Sequence, residues 1–412
     1  ALRAAGFQAM ACFAPSLKAP GFADWLAPHL AAAPPVAVVN LTAFSAQGAA
    51  GRTPFDGLDV PVFQGALSTA ARADWAAAER GLSPADLAMH VVLPEVDGRI
   101  FAGVVSFKAP AARDAVLEHA RLIHAPEPDR IAALVARVAA WHRLATTPAP
   151  ARAVAVLLST YPGRSWQMAH AVGVDALAST GALLDDLAAE GYDIAPGPGA
   201  EALATARLSW PLAEYQAALA TLPAVLRDDL AAAWGAPTDD PACHYGAFHF
   251  AALRRGKILL ALQPERGEVA ARDADYHNLA RVPRHGYVAF YLWLRAQGLH
   301  ALVHMGAHGT LEWLPGKAVA LSAACWPEAL LGPLPVIYPF IVNDPGEAAQ
   351  AKRRLGAVTL GHLPPPLTEA ALPEPLAGLE ALLDEYSTAD GLDPARRDRL
   401  IAAIRAAAQG RG

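Results

Sequence analysis

The chain has 412 residues, 54% of them hydrophobic, and a formal net charge of −6. That length predicts two or three domains, and that apolar share predicts sizeable cores rather than disorder. The acidic balance leaves no basic footprint for nucleic acid, and no apolar run approaches the roughly 20 residues of a spanning helix.

Ala1-Leu-Arg-Ala-Ala-Gly-Phe7 lacks an initiator Met and the layout of a signal peptide, and it reads like the tail of a helix. The expectation is a piece of a longer chain. Val36–Asn40 and Val60–Gln64 are short apolar runs like buried parallel strands, with Pro61 marking a start or an edge. Asp97-Gly98 between Met89–Leu93 and Arg99–Phe107 predicts an antiparallel hairpin near 89–107. Asp129 is placed to cap a helix carrying Ile131, Leu134, Val135, Val138 and Trp141 on one face. Thr146-Thr-Pro-Ala-Pro150 reads as a linker.

A second α/β unit opens at Ala153–Ser159 and runs through Thr160-Tyr-Pro-Gly-Arg164 into helical sequence. Such a strand-to-helix turn suits an anion, and Arg164 suits a carboxylate. The plainer reading is a connecting turn. Residues 200–234 look helical, and strand signals return at Lys257–Leu262, Leu299–Val303, Ala318–Leu321 and Pro335–Ile341. Gln263-Pro-Glu-Arg-Gly267 follows a strand and offers polar groups at its end. Arg284 and His285 open the aromatic run Tyr287–Leu294, itself more in keeping with a core than with a cofactor box. Asp344-Pro-Gly-Glu347 carries a helix-start signature, with Lys352-Arg-Arg354 near that helix's end.

The fold class is therefore α/β and multi-domain, with largely parallel sheets flanked by helices and a helical C-terminal segment. The predicted domains are 1–148, 149–366 and 367–412, divided by the linker and by Leu363-Pro-Pro-Pro-Leu367. Cys12, Cys243 and Cys325 are odd in number and include no C-x-x-C, which fits a reducing cytoplasm and no disulfide framework. Cys243 with His244 and His249 makes an incomplete zinc set.

The richest stretch is His304–Lys317, HMGAHGTLEWLPGK. A strand ending at His304 would place His304 and His308 where α/β sheets bind ligands. Gly306 and Gly309 permit sharp turns, and Thr310 can start a short helix with Glu312 on its first turn. Two imidazoles, a carboxylate and Lys317 suit a first-row metal or proton transfer. The zinc-protease pattern H-E-x-x-H is absent. A zinc hydrolase using His304 and His308, and a packed turn with hydrogen-bonded histidines, both stay open on spacing alone.

That stretch, with CWPEALLGPLPVIYPFIVNDPGEAAQAKRR, AVTLGHLPPPL, FAPSLKAPGFADWL, STYPGRSWQMAHAVGVDAL, LLALQPERG and PRHGYVAFYLWLR, resembles a family of large chelatase subunits. The family comprises CobN of aerobic cobaltochelatase and the related large subunit of magnesium chelatase. The resemblance covers most of residues 10–412, and members of the family are much longer. Trp313 and the QPERG run lean towards the cobalt branch. The resemblance implies a tetrapyrrole-binding subunit that inserts Co2+ into the corrin hydrogenobyrinic acid a,c-diamide during cobalamin synthesis in the cytoplasm. Co2+ would be a substrate, and Mg-ATP would be used by AAA+ ATPase and adaptor subunits. The chain itself has no P-loop motif and so no ATP site. Glu312 is implied as proton acceptor or transient metal ligand, with His304 and His308 delivering metal or moving protons. Arg164, Arg284, His285 and Lys317 would meet the corrin's carboxylates and amides. The alternatives are a large magnesium-chelatase subunit acting on protoporphyrin IX and a non-catalytic tetrapyrrole carrier.

Overall fold

The computed structural model describes residues 1–48, 51–159, 170–171, 174–267, 278–306, 309–339, 345–361, 376–389 and 394–408. The chain forms two units, one of residues 1–9, 132–317 and 321–364 and one of residues 10–131, 318–320 and 365–412. The predicted cut at 148/149 falls inside the first unit. The Pro-rich run punctuates the chain there without dividing a core, because Leu144 before it and Val154 after it pack into the same cluster. The C-terminal segment counts with the second unit, where helices Ala377–Ala389 and Pro394–Ala408 pack on each other.

In the second unit four strands lie in sequence order: β1 (Val38–Asn40), β2 (Val62–Ala71), β3 (Ile100–Pro110) and β4 (Leu122–Pro126). The first three are parallel and β4 is antiparallel to β3. The sequence predicts a hairpin across Asp97-Gly98; the chain before that dipeptide is helical instead. Ser83 caps the start by accepting from the Asp86 N–H, Pro84 occupies the first turn, and helical turns continue through Glu95. Gly98 then takes φ 72°, so this glycine ends a helix rather than turning a hairpin. The antiparallel partner of β3 is β4, not residues 89–93. The predicted strand at 318–321 is also absent. Val319 and Ala320 instead join the core of Phe63's sheet beside Trp75, whose Nε1 donates to the Ala320 carbonyl at 3.0 Å.

The two larger sheets of the first unit are built from β5 (Val154–Leu158), β6 (Leu208–Pro211), β7 (Cys243–His244), β8 (Ala247–Phe250), β9 (Ala252–Arg255), β10 (Ile258–Leu262), β11 (Ala301–Met305), β12 (Val336–Pro339) and β13 (Val358–Leu360). The main sheet has the order β9-β10-β5-β11-β12-β13 and is parallel except for the antiparallel edge β9. Strands β6, β8 and β7 form a small antiparallel sheet. Residues 200–234, predicted as helical throughout, break into a short turn, β6 and the helices Leu212–Leu219 and Ala224–Trp234, the last two each opened by a proline.

The alternating side chains of the main sheet enter two cores. Val154, Val156 and Leu158 enter one, and Ala155 and Leu157 enter the other. The second of these also takes Leu302, Val336 and Tyr338, together with the helix His285–Ala296. That helix buries every residue from His285 to Leu294, so the aromatic run is core. By the same period of two, His304 faces the side of the sheet that Leu302 and Tyr338 face. No helix among the described residues is long and apolar enough to cross a membrane.

Two buried imidazoles tie stability to pH. Burial holds His90 and His285 below the ordinary imidazole value of 6.5, against smaller opposing pulls from Asp86 on His90 and from the Gly235 carbonyl and Asp240 on His285. The unfolded chain therefore takes up protons first as pH falls. Their contribution is complete above about pH 6.5 and is lost as pH drops towards the folded-state values. Thermal melts from pH 8 to 5 should show Tm falling below about pH 6.5, by roughly 2–4 °C per kcal/mol lost. A flat Tm across that window would contradict this assignment.

Candidate functional site

The main sheet brings four strand ends to one edge. Ser159 follows β5, Gln263 follows β10, His304 lies near the end of β11 and Tyr338 lies in β12; all four are buried. This carboxyl edge of a parallel sheet is where α/β folds bind ligands. The register Leu302↔Val336 and Val303↔Ile337 carries on to set His304 beside Tyr338. Their rings stack with centroids 4.8 Å apart and planes 13° from parallel. The Nδ1 of His304 lies 3.3 Å from the Ser159 hydroxyl.

After β11 the chain turns at Gly306, φ 143°, and returns at Gly309 against the same imidazole. A Cβ on Gly309 would sit 2.5 Å from His304 Nε2 and 2.9 Å from the Tyr338 hydroxyl, so only glycine fits. Thr310 then opens the 3-10 turn Leu311–Trp313 that carries Glu312, as the sequence predicts. The Thr310 N–H donates to Gln263 Oε1 at 3.1 Å, and its hydroxyl lies 2.9 Å from the Tyr287 phenol. Gln263 Nε2 donates to the phenols of Tyr287 and Tyr291 at 3.1 and 2.6 Å. The turn is thus pinned to the strand end and to the aromatic helix together.

Glu312 has 0% exposure. Its Oε1 accepts the Gly309 N–H at 3.0 Å, and the Tyr338 hydroxyl is 3.0 Å from each carboxylate oxygen. Burial, and then the charge of Glu312, push the Tyr338 phenol well above its ordinary value. It is therefore a neutral donor at any physiological pH. Arg354, 2% exposed, donates through Nη1 to the Glu312 carbonyl and through Nε to the Lys317 carbonyl at 3.1 Å. Burial lowers its guanidinium to about 10, so it keeps its charge at neutral pH. Lys317 is itself buried, and its N–H donates to Cys325 Sγ at 3.3 Å.

Of the residues singled out in the sequence, His304, Glu312 and Lys317 are brought into this one assembly. Arg284 touches it through the backbone: its N–H donates to the Arg266 carbonyl at 2.9 Å, and Arg266 Nη1 donates to the Trp313 carbonyl at 3.0 Å. The Arg284 side chain pairs with buried Asp240 at 3.0 Å. His285 is 2% exposed, and both of its ring nitrogens are engaged, by the Tyr215 hydroxyl at 2.6 Å and the Gly235 carbonyl at 3.2 Å. His308 and Arg164 lie outside the described residues. Tyr338 and Arg354 are the site residues that sequence patterning misses. Tyr338 reads as one more apolar strand position, and Arg354 as a cation at a helix end. Gln263 and Arg266 of the QPERG run, flagged as a strand-end group, do line the assembly.

In chemical terms the assembly offers a buried carboxylate on a turn and an imidazole on the sheet edge, both in contact with Tyr338. That pairing suits proton transfer and short-lived contact with a divalent metal. Among the described residues no group of three or more His, Cys, Asp and Glu is arranged to hold a metal. Gly309→Ala should displace His304 or Tyr338 and lower stability by about 1–3 kcal/mol. An unchanged urea midpoint for that variant would show that the close approach is dispensable.

A CobN/Magnesium Chelatase family profile matches residues 1–412. The chain is 42% identical, over 97% of its length, to the aerobic cobaltochelatase subunit CobN of Sinorhizobium sp, and 42% identical over 92% of its length to that of Pseudomonas aeruginosa. It is 30% identical over 85% of its length to the H-type magnesium-chelatase subunit of Cereibacter sphaeroides. The chain spans about a third of these relatives, 33%, 32% and 32% of their respective lengths. The solved catalytic subunit of cobaltochelatase from Mycobacterium tuberculosis superposes with a TM-score of 0.71 at 35% identity, covering 97% of this chain and 36% of that one. The chain belongs to the CobN/magnesium chelatase family.

Proposed function

We propose that this chain carries the metal-insertion site of a cobaltochelatase large subunit, which places Co2+ into hydrogenobyrinic acid a,c-diamide. The observation that carries this reading is the buried Glu312, which shares Tyr338 and Gly309 with His304 at the carboxyl edge of the sheet, in a chain 42% identical to two CobN subunits. The lower identity to the magnesium enzyme, 30%, favours cobalt and a corrin over magnesium and protoporphyrin IX.

Insertion forms metal–nitrogen bonds as inner N–H groups of the macrocycle lose protons and the metal sheds its waters. Glu312 takes a proton from the macrocycle or meets the metal in passage. His304 and His308 hand on the metal or the proton. The sequence resemblance assigns Lys317, Arg284 and Arg164 to the carboxylates and amides of the corrin, Arg284 with its Nε already paired to Asp240. His285 holds the start of the aromatic helix, since both its ring nitrogens are already engaged. The roles of His308 and Arg164 rest on the sequence resemblance. ATP is hydrolysed as Mg-ATP by AAA+ and adaptor partners in the cytoplasm, which fits the absence of a P-loop motif from the sequence.

The test is cobalt insertion by the full-length subunit with its ATPase partners, together with absorbance titration of corrin and porphyrin. Glu312→Gln should cut insertion by at least about a hundredfold, the scale expected of a lost proton-transfer group, and should leave corrin binding in place. Tight porphyrin binding without corrin binding would move the chain to the magnesium branch. Full insertion by Glu312→Gln would remove Glu312 from the chemistry.

A further inference from the structure

We propose that Tyr338 is a positioning residue of the insertion site, one side chain that sets both the carboxylate of Glu312 and the imidazole of His304. This role rests on Glu312 being the insertion carboxylate and names the residue that aims it.

The geometry is specific. The phenol oxygen stands 3.0 Å from Oε1 and 3.0 Å from Oε2 of Glu312. A donor equidistant from both oxygens fixes the place of the carboxylate head, and a contact to one oxygen alone is needed to fix the rotation of its plane. The Gly309 N–H, 3.0 Å from Oε1, supplies a second anchor from the turn. The ring of the same tyrosine lies under the His304 imidazole at 4.8 Å and 13°. Gly309 closes the group, because any Cβ there would meet both His304 Nε2 and the Tyr338 hydroxyl. The tyrosine comes from the neighbouring strand, so the alignment of carboxylate and imidazole is set by sheet register rather than by the loop that carries Glu312.

A carboxylate that must accept a proton from a planar macrocycle gains from a fixed orientation, and rotation of a few tens of degrees is enough to misalign the transfer. The phenol acts through Glu312 and His304 and has no bond-making role of its own. It limits the conformations open to the two groups assigned to the proton and the metal.

Two substitutions separate the two contacts. Tyr338→Phe keeps the ring under His304 and removes only the hydroxyl. Tyr338→Leu removes both. In the full-length subunit with its ATPase partners, Tyr338→Phe should lower kcat for cobalt insertion by about ten- to a hundredfold, the scale of one hydrogen bond to a charged group. Corrin affinity and the KM for Co2+ should stay within about twofold of wild type, and Tyr338→Leu should lower kcat further. Wild-type kcat in Tyr338→Phe, with Glu312→Gln inactive, overturns the proposal and leaves the insertion site standing. Matched losses of corrin affinity and kcat also overturn it, since they mark general disruption. A Leu variant no slower than the Phe variant overturns the His304 half. Activity in both Glu312→Gln and Tyr338→Phe removes the reading beneath the proposal.

Discussion

The hydrogen bonds to Glu312 are the constraint on which the first unit's architecture converges. A carboxylate with 0% exposure is stable as an anion only if its oxygens are satisfied within the protein. The Gly309 N–H and the Tyr338 phenol do this. Each requirement reaches outward. Gly309 must lack a side chain, because the turn presses on His304. Tyr338 must face the same side of the sheet as His304, which the pairing of β11 with β12 secures. Thr310 must be held, and Gln263 and Tyr287 hold it. Arg354 ties the carbonyls at Glu312 and Lys317 to one buried guanidinium, so the loop is braced at both ends.

Much of the frame is legible in the sequence. The apolar runs at 153–159, 257–262, 299–303 and 335–341 correspond to β5, β10, β11 and β12, because strands buried on both faces read as continuous apolar sequence. Thr310 with Glu312 in the first turn is also legible, since a short polar residue before a turn is a local signal. The errors have local causes. Asp97-Gly98 is a hairpin signal, yet glycine in a left-handed conformation equally ends a helix, and Ser83-Pro84 starts one there. Residues 318–321 look like a strand only because they are apolar, and Val319 and Ala320 serve core packing instead.

The parts of the site that the sequence hides are those made through space. Tyr338 owes its role to a register with β11, and nothing in VIYP reports which strand will lie beside it. Arg354 follows two basic residues on a helical segment, a pattern that normally means a solvated end. It is buried instead, donating to the carbonyls of Glu312 and Lys317. Hydrophobic periodicity gives the face of an element, but it does not name the partner across the gap. Family resemblance bridges that gap for His304 and Glu312, whose motif is contiguous in the chain, and not for residues that join them from another strand.

The proposal that metal enters a macrocycle at the buried carboxylate of Glu312 is decided by where the proposed corrin substrate sits. A structure of the full-length subunit bound to hydrogenobyrinic acid a,c-diamide settles that. The inner nitrogens of the corrin should be turned towards Glu312, within about 3–4 Å of its carboxylate or reached through one water. A corrin seated elsewhere, with Glu312 still enclosed by Gly309 and Tyr338, would contradict an insertion site at Glu312.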